Sequence, residues 1–149
     1  MSRDWQPADV LPHRGPMLLL TRILAWDARS LAAEAEVSAD HPLAEPAGGL
    51  PCWTAIEFMA QAAGALDGIR LRVAGRAVPP GYLLGTRRLD GVDGHFSPGA
   101  RLRIEVEELL QDANGLGSYT CRLVDGARSW ACQLTVYRPP GAEAAGSGE

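Results

Sequence analysis

A chain of 149 residues, 46% hydrophobic and 21% charged, has the length and balance of one globular domain with its own core. Its formal net charge of −4 argues against nucleic acid as the main partner, and no apolar run approaches the length that spans a bilayer. All fourteen basic residues are arginine, which excludes lysine Schiff-base chemistry and a Walker-type phosphate loop.

In chain order, the opening MSRDWQPADV lacks the apolar core of a secretory signal, so a soluble cytoplasmic protein without a membrane partner is expected. MLLLTRILA (17–25) is a short apolar run of β-compatible residues. LAAEAEV (31–37) alternates, with Leu31, Ala33, Ala35 and Val37 on one side. Asp27, Arg29 and Ser30 lie between the two runs and suggest a hairpin, although the Ala and Glu content of the second would also suit a helix. Residues 38–51 read as a loop. Pro51 is well placed to open a helix, because its missing N–H would find no partner there anyway. The helix is predicted to run to about Val73, with Gly75 as its stop.

Beyond it the period changes to two. A strand is expected over 82–90. RLRIEVEEL (101–109), YTCRL (119–123) and WACQLTVY (130–137) alternate apolar and polar residues. SPGA (97–100) and VDGARS (124–129) are turn signals, the second that of a hairpin. The last ten residues, 140–149, are small and polar and are expected to be a disordered tail, leaving 1–139 as a single domain. Cys52, Cys121 and Cys132 have neither zinc-site nor disulfide-framework spacing and are expected to be free and mostly buried.

The helix differs from the strands. Trp53, Ile56, Phe58, Met59, Leu66 and Ile69 are spread around most of its circumference, and a helix that is apolar all round is buried all round. The economical α+β solution is a long central apolar helix wrapped by a curved antiparallel sheet of about six strands. Within LPCWTAIEFMAQAAGAL (50–66) the one charged side chain is Glu57. It either faces a solvent gap, pairs with an arginine from a strand, or does chemistry.

The proposed architecture is the hot-dog fold, and the motifs go further. LPHRGPMLLLTRIL (11–24) resembles the opening motif of β-hydroxyacyl-[acyl-carrier-protein] dehydratases. Pro51, Glu57, Met59, Ala60 and Gln61 match that family's helix motif in register, and residues 85–109 resemble its later strand pair. The divergent helix start, LPCW, resembles most the dehydratase-like proteins of aryl-polyene biosynthesis, some of which look catalytically incomplete and serve as partners of a complete homologue.

The resemblance implies a chemistry. A loop histidine removes the proton α to the thioester carbonyl. The helix carboxyl, here Glu57, gives a proton to the departing β-hydroxyl. The two groups come from different subunits of a dimer. A backbone N–H at the helix start, here that of Cys52, holds the carbonyl oxygen, a role suited to the positive end of a helix. Burial in an apolar tunnel would favour the protonated carboxyl such an acid needs. Trp53, Ile56, Met59, Ala60, Gln61 and His13 are the implied substrate-side residues, and no metal or cofactor is implied.

This chain departs from the pattern in two places. The ungapped position of the loop histidine is Leu43; His41 lies two residues earlier and stands in for it if the AEPAGG loop carries an insertion, and is otherwise an ordinary loop residue. Cys52 replaces the family's glycine, and a thiol at a helix start is also a conceivable nucleophile, because the dipole lowers its pKa. His13 is structural by its place in the motif, and His95 is expected to be a surface turn residue.

Three functions compete: a dehydratase acting on an acyl carrier protein's β-hydroxyacyl chain, an incomplete subunit pairing with an active dehydratase, and a hot-dog acyl thioesterase. All imply a homodimer or heterodimer, because an open sheet has edges to cover. An acidic carrier protein needs a basic patch. Arg70, Arg72, Arg76, Arg87 and Arg88 are the candidates, the alternative being a solvated helix end.

Overall fold

The computed structural model describes residues 4–46, 48–78, 81–87, 89–91 and 93–139; Arg88 and the segment 140–149 lie outside them. A one-turn helix α1 (Pro7–Val10) precedes the hairpin β1 (Arg22–Trp26) and β2 (Ser30–Glu36). The short strand β3 (Leu50–Pro51) and a 3₁₀ turn over Cys52–Thr54 lead into the long helix α2 (Ala55–Val73). Then follow β4 (Tyr82–Arg87), the short β5 (His95–Phe96), and the meander β6 (Arg101–Gln111), β7 (Leu116–Asp125) and β8 (Arg128–Tyr137). The six long strands form one antiparallel sheet in the order β1-β2-β6-β7-β8-β4, while β3 and β5 pair separately.

Register explains why the alternation was readable. Ala33 pairs with Ile104, Ile104 with Leu123 and Leu123 with Trp130. Every one of these is buried, and they line a single face, as period-two alternation requires. That face meets Phe58, Met59, Ala62, Leu66 and Ile69 of α2, all at most 1% exposed. The helix-compatible stretch 31–37 is a strand because Ala33 and Ala35 turn into this core, small enough for α2 to approach, while Glu34 turns out to Arg22. The β1–β2 turn is held by Asp27, whose Oδ1 accepts the N–H groups of Arg29 and Ser30 at 2.9 and 2.8 Å. The β7–β8 hairpin closes through Asp125↔Arg128, with Gly126 at φ +60° supplying the left-handed position.

Helix α2 ends as predicted. The N–H of Gly75 (φ +76°) bonds Arg72 O and that of Arg76 bonds Leu71 O, a Schellman closure. It does not begin as predicted. Pro51 pairs with His95 in the two-residue β3–β5 ladder, and the Thr54 hydroxyl donates to Pro51 O at 2.7 Å across the 3₁₀ turn. Proline's missing N–H is therefore spent on a strand edge, and α2 starts at Ala55. The first strand is also shorter than expected: it starts at Arg22, because residues 15–19 are held against α2 instead.

Candidate active site

Four residues of α2 explain where the N-terminal segment lies. Glu57, Gln61, Gly64 and Gly68 are spaced i, i+4, i+7 and i+11 and form one stripe along the helix. A Cβ on Gly68 would stand 2.0 Å from Val10 O, and one on Gly64 would stand 3.3 Å from Leu11 Cδ2. The two glycines thus let the backbone after α1 lie directly on the helix. Further along, Gln61 clamps the same segment: its Oε1 accepts the Leu19 N–H at 2.9 Å and its Nε2 donates to Met17 O at 2.8 Å. That leaves His13, midway along the segment, beside the helix at the level of Glu57.

His13 and Glu57 line one cavity of about 180 Å³. Its walls are the segment, α2 with Ala60, Gln61 and Asp67, and the sheet with Tyr119 and Arg138. Glu57 and Asp67 are ten residues apart on α2, so the cavity runs about 15 Å along the helix at ~1.5 Å per residue. Asp67 pairs with Arg138 at the far end. Glu57 is half-buried rather than sealed in the core, because its side chain opens into this cavity.

Burial holds the His13 imidazole below its usual pKa; the nearby Glu57 carboxylate pulls the other way and Arg14 adds to the lowering. The ring is therefore neutral at physiological pH. Its Nδ1 is buried without a hydrogen-bond partner among the described residues. The sign for stability follows. The unfolded chain takes up this proton first, near the ordinary pKa of about 6.5, so His13 lowers stability as pH falls through that value and has no effect well above it. Denaturant titrations of wild type and His13→Gln should converge at neutral pH and separate in acid, with the wild type losing more. A wild type that loses no more than His13→Gln in acid would refute the buried neutral ring.

His41 lies elsewhere. Its Nδ1 accepts the Leu43 N–H at 3.0 Å, so Nε2 carries the hydrogen and donates to Pro16 O at 2.8 Å. It lines a second cavity with Pro16, Leu18 and Phe58. Glu57 and Phe58 are adjacent on the helix and face different sides, so one chain does not bring His41 and Glu57 into the same cavity.

The other expected site residues divide. The Cys52 N–H bonds Gly94 O at 2.9 Å. The Cys52 thiol is raised, not lowered as expected for a nucleophile at a helix start, because burial outweighs the attraction of Arg128. Met59 is fully buried against Cys132, whose thiol donates to its sulfur at 3.8 Å, so it is core rather than cavity wall. Ile56 is partly buried on the core, Trp53 is 47% exposed, and Ala60 and Gln61 do line the Glu57 cavity. All three cysteines are buried and unbridged, and His95 is exposed near Glu45. Of the basic candidates, Arg70 is engaged by Glu108 at 2.5 Å and by Ala28 O at 2.7 Å, whereas Arg72, Arg76 and Arg87 are exposed. Asp67, Tyr119 and Arg138 were not expected in the site; the Gly64–Gly68 spacing beside Glu57 and Gln61 was the available signal.

Comparison with known proteins gives a consistent picture. The family model of the ApeP-like proteins, described as ApeP dehydratase, matches residues 5–146. The dehydratase heterocomplex ApeI:P from Xenorhabdus doucetiae is similar at 30% identity and a TM-score of 0.85, over 96% of this chain and 97% of that one. A thioesterase, SAV0944 from Staphylococcus aureus, has 13% identity and a TM-score of 0.59 over 79% of this chain and 92% of that one. The TT0310 protein from Thermus thermophilus has 19% identity and a TM-score of 0.59 over 85% and 99%. The last two likenesses concern the fold alone, the hot-dog arrangement expected from the sequence. No curated protein sequence matches the chain. No helix of the described residues is long and apolar enough to cross a membrane.

Proposed function

The chain belongs to the ApeP-like dehydratase family, and from that membership we propose that it removes water from a β-hydroxyacyl thioester carried on an acyl carrier protein, in cytoplasmic polyene or fatty-acid-like synthesis. The observation that carries this reading is the half-buried Glu57 carboxyl opening into an elongated, largely apolar cavity beside a neutral histidine. A β-hydroxyl leaves poorly as hydroxide and well as water. A carboxyl delivering a proton at that oxygen lowers the barrier, while the walls along α2 hold the acyl chain.

The resemblance assigns the α-proton to His41. Since His41 and Glu57 line different cavities of one chain, His41 would serve the Glu57 of a second chain. The solved ApeI:P relative is a heterocomplex, which supports pairing of this chain with a related hot-dog subunit. The Cys52 N–H can hold the thioester carbonyl only by leaving Gly94 O. Arg72, Arg76 and Arg87 are the exposed cations left to meet an acidic carrier protein.

Product analysis tests the reaction. The purified chain, alone and mixed with a related hot-dog subunit, is given a β-hydroxyacyl carrier protein and followed by intact-mass spectrometry. Loss of water from the acyl group is the expected result. Release of free acid and carrier thiol would make the chain a thioesterase. No reaction from either preparation would overturn the reading.

A further inference from the structure

We propose that His13 is the base that removes the α-proton, so that one chain carries both the acid and the base of the elimination. The inference rests on the dehydratase reading and adds to it the residue that completes the Glu57 cavity.

Three observations carry it. First, His13 and Glu57 line the same cavity, and the carboxylate's field reaches the imidazole. Second, of the three histidines, His13 is the one that combines this cavity with an unused ring nitrogen. Both nitrogens of His41 are spent on Leu43 N–H and Pro16 O, and His95 lies at the surface near Glu45. Third, the segment that bears His13 is fixed along the helix that bears Glu57. Val10 lies on Gly68, Leu11 on Gly64, and Gln61 grips Met17 and Leu19. Such a clamp is what a catalytic pair needs to keep its spacing. The neutral state of the ring, set by its burial, leaves a lone pair for the proton.

The step balances. The imidazole takes the proton from the α-carbon, and the electron pair of that C–H bond becomes the new double bond to the β-carbon. The β-carbon–oxygen bond breaks, its pair stays on oxygen, and the Glu57 carboxyl protonates that oxygen to release water. The chain is left with an imidazolium and a carboxylate. Transfer of one proton from His13 to Glu57 restores the starting state.

The test separates the two half-reactions. The purified full chain, alone, is incubated in D₂O with a β-hydroxyacyl thioester. Deuterium entering the α-position and water leaving are both read by mass spectrometry. His13→Gln should lose both signals by about 10²–10⁴-fold. His13→Ala should regain part of them with added imidazole, which a merely structural role would not allow. Glu57→Gln should lose water release and keep α-exchange, and His95→Gln should keep both. A folded His13→Gln that keeps both signals while Glu57→Gln loses dehydration overturns the proposal and leaves the dehydratase standing. So does wild type that exchanges nothing alone yet dehydrates once a related hot-dog subunit is added, and so does loss of exchange in His41→Gln with His13→Gln unaffected. Absence of dehydration from every preparation would instead overturn the dehydratase reading itself.

Discussion

Glu57→Gln is expected to slow the loss of water from a β-hydroxyacyl thioester by about 10²–10⁴-fold, which corresponds to about 3–5 kcal/mol of barrier. The amide keeps the shape of the acid and removes its proton. Helix α2 should tolerate it, since Glu and Gln have nearly equal helix propensity and the side chain opens into a cavity rather than into packed core. The unfolding midpoint should therefore move little while turnover collapses. Affinity for the unreactive saturated thioester should persist, because the apolar walls and not the carboxyl hold the chain. Equal turnover in Glu57→Gln and wild type would remove Glu57 from the chemistry.

The second large effect is on stability. In an exposed helix, Gly→Ala gains about 1 kcal/mol. At Gly68 the sign should reverse. The new methyl would sit 2.0 Å from Val10 O, and the obstructing atom is backbone, with no flexible tip to swing aside. A shift of the segment would cost about 1–3 kcal/mol. Detachment would cost more, because Val10 and Leu11 are 0% and 3% exposed and each contributes about 1.5–3 kcal/mol by burial. Denaturant unfolding should show Gly68→Ala less stable than wild type, and limited proteolysis should cut the first twenty or so residues faster. A more stable Gly68→Ala would mean that the segment does not lie on the helix there.

The strands were legible because each has one buried face, so Leu102, Ile104 and Val106 declare their side without help from the rest of the chain. The stop at Gly75 was legible because Schellman chemistry is local. What failed was set by distant partners. Pro51 looks like a helix start until His95 is known to pair with it. Met17–Leu19 look like strand until Gln61 takes their backbone groups. Glu57 stood out as the lone charge of its helix and does open into a cavity, but its neighbour His13 could not be read from the sequence. That proximity depends on two glycines whose missing side chains leave no hydrophobic signal. His41 was weighed by its distance from Pro51; the bonds that occupy its ring come from Leu43 and from Pro16, the second in a different loop.

The sheet order has a consequence for how such a chain is made. The pairs β1–β2, β6–β7 and β7–β8 join sequence neighbours and can zip locally, whereas β2–β6 and β4–β8 must close long loops, which makes them the entropically costly joins. Helix α2 emerges from the ribosome after β1 and β2 but before the other four strands of the sheet. For that interval its apolar surface is bare, and a strand edge awaits its neighbour. The nascent chain is thus most exposed to wrong partners, or to a chaperone, between the synthesis of Val73 and the arrival of β6.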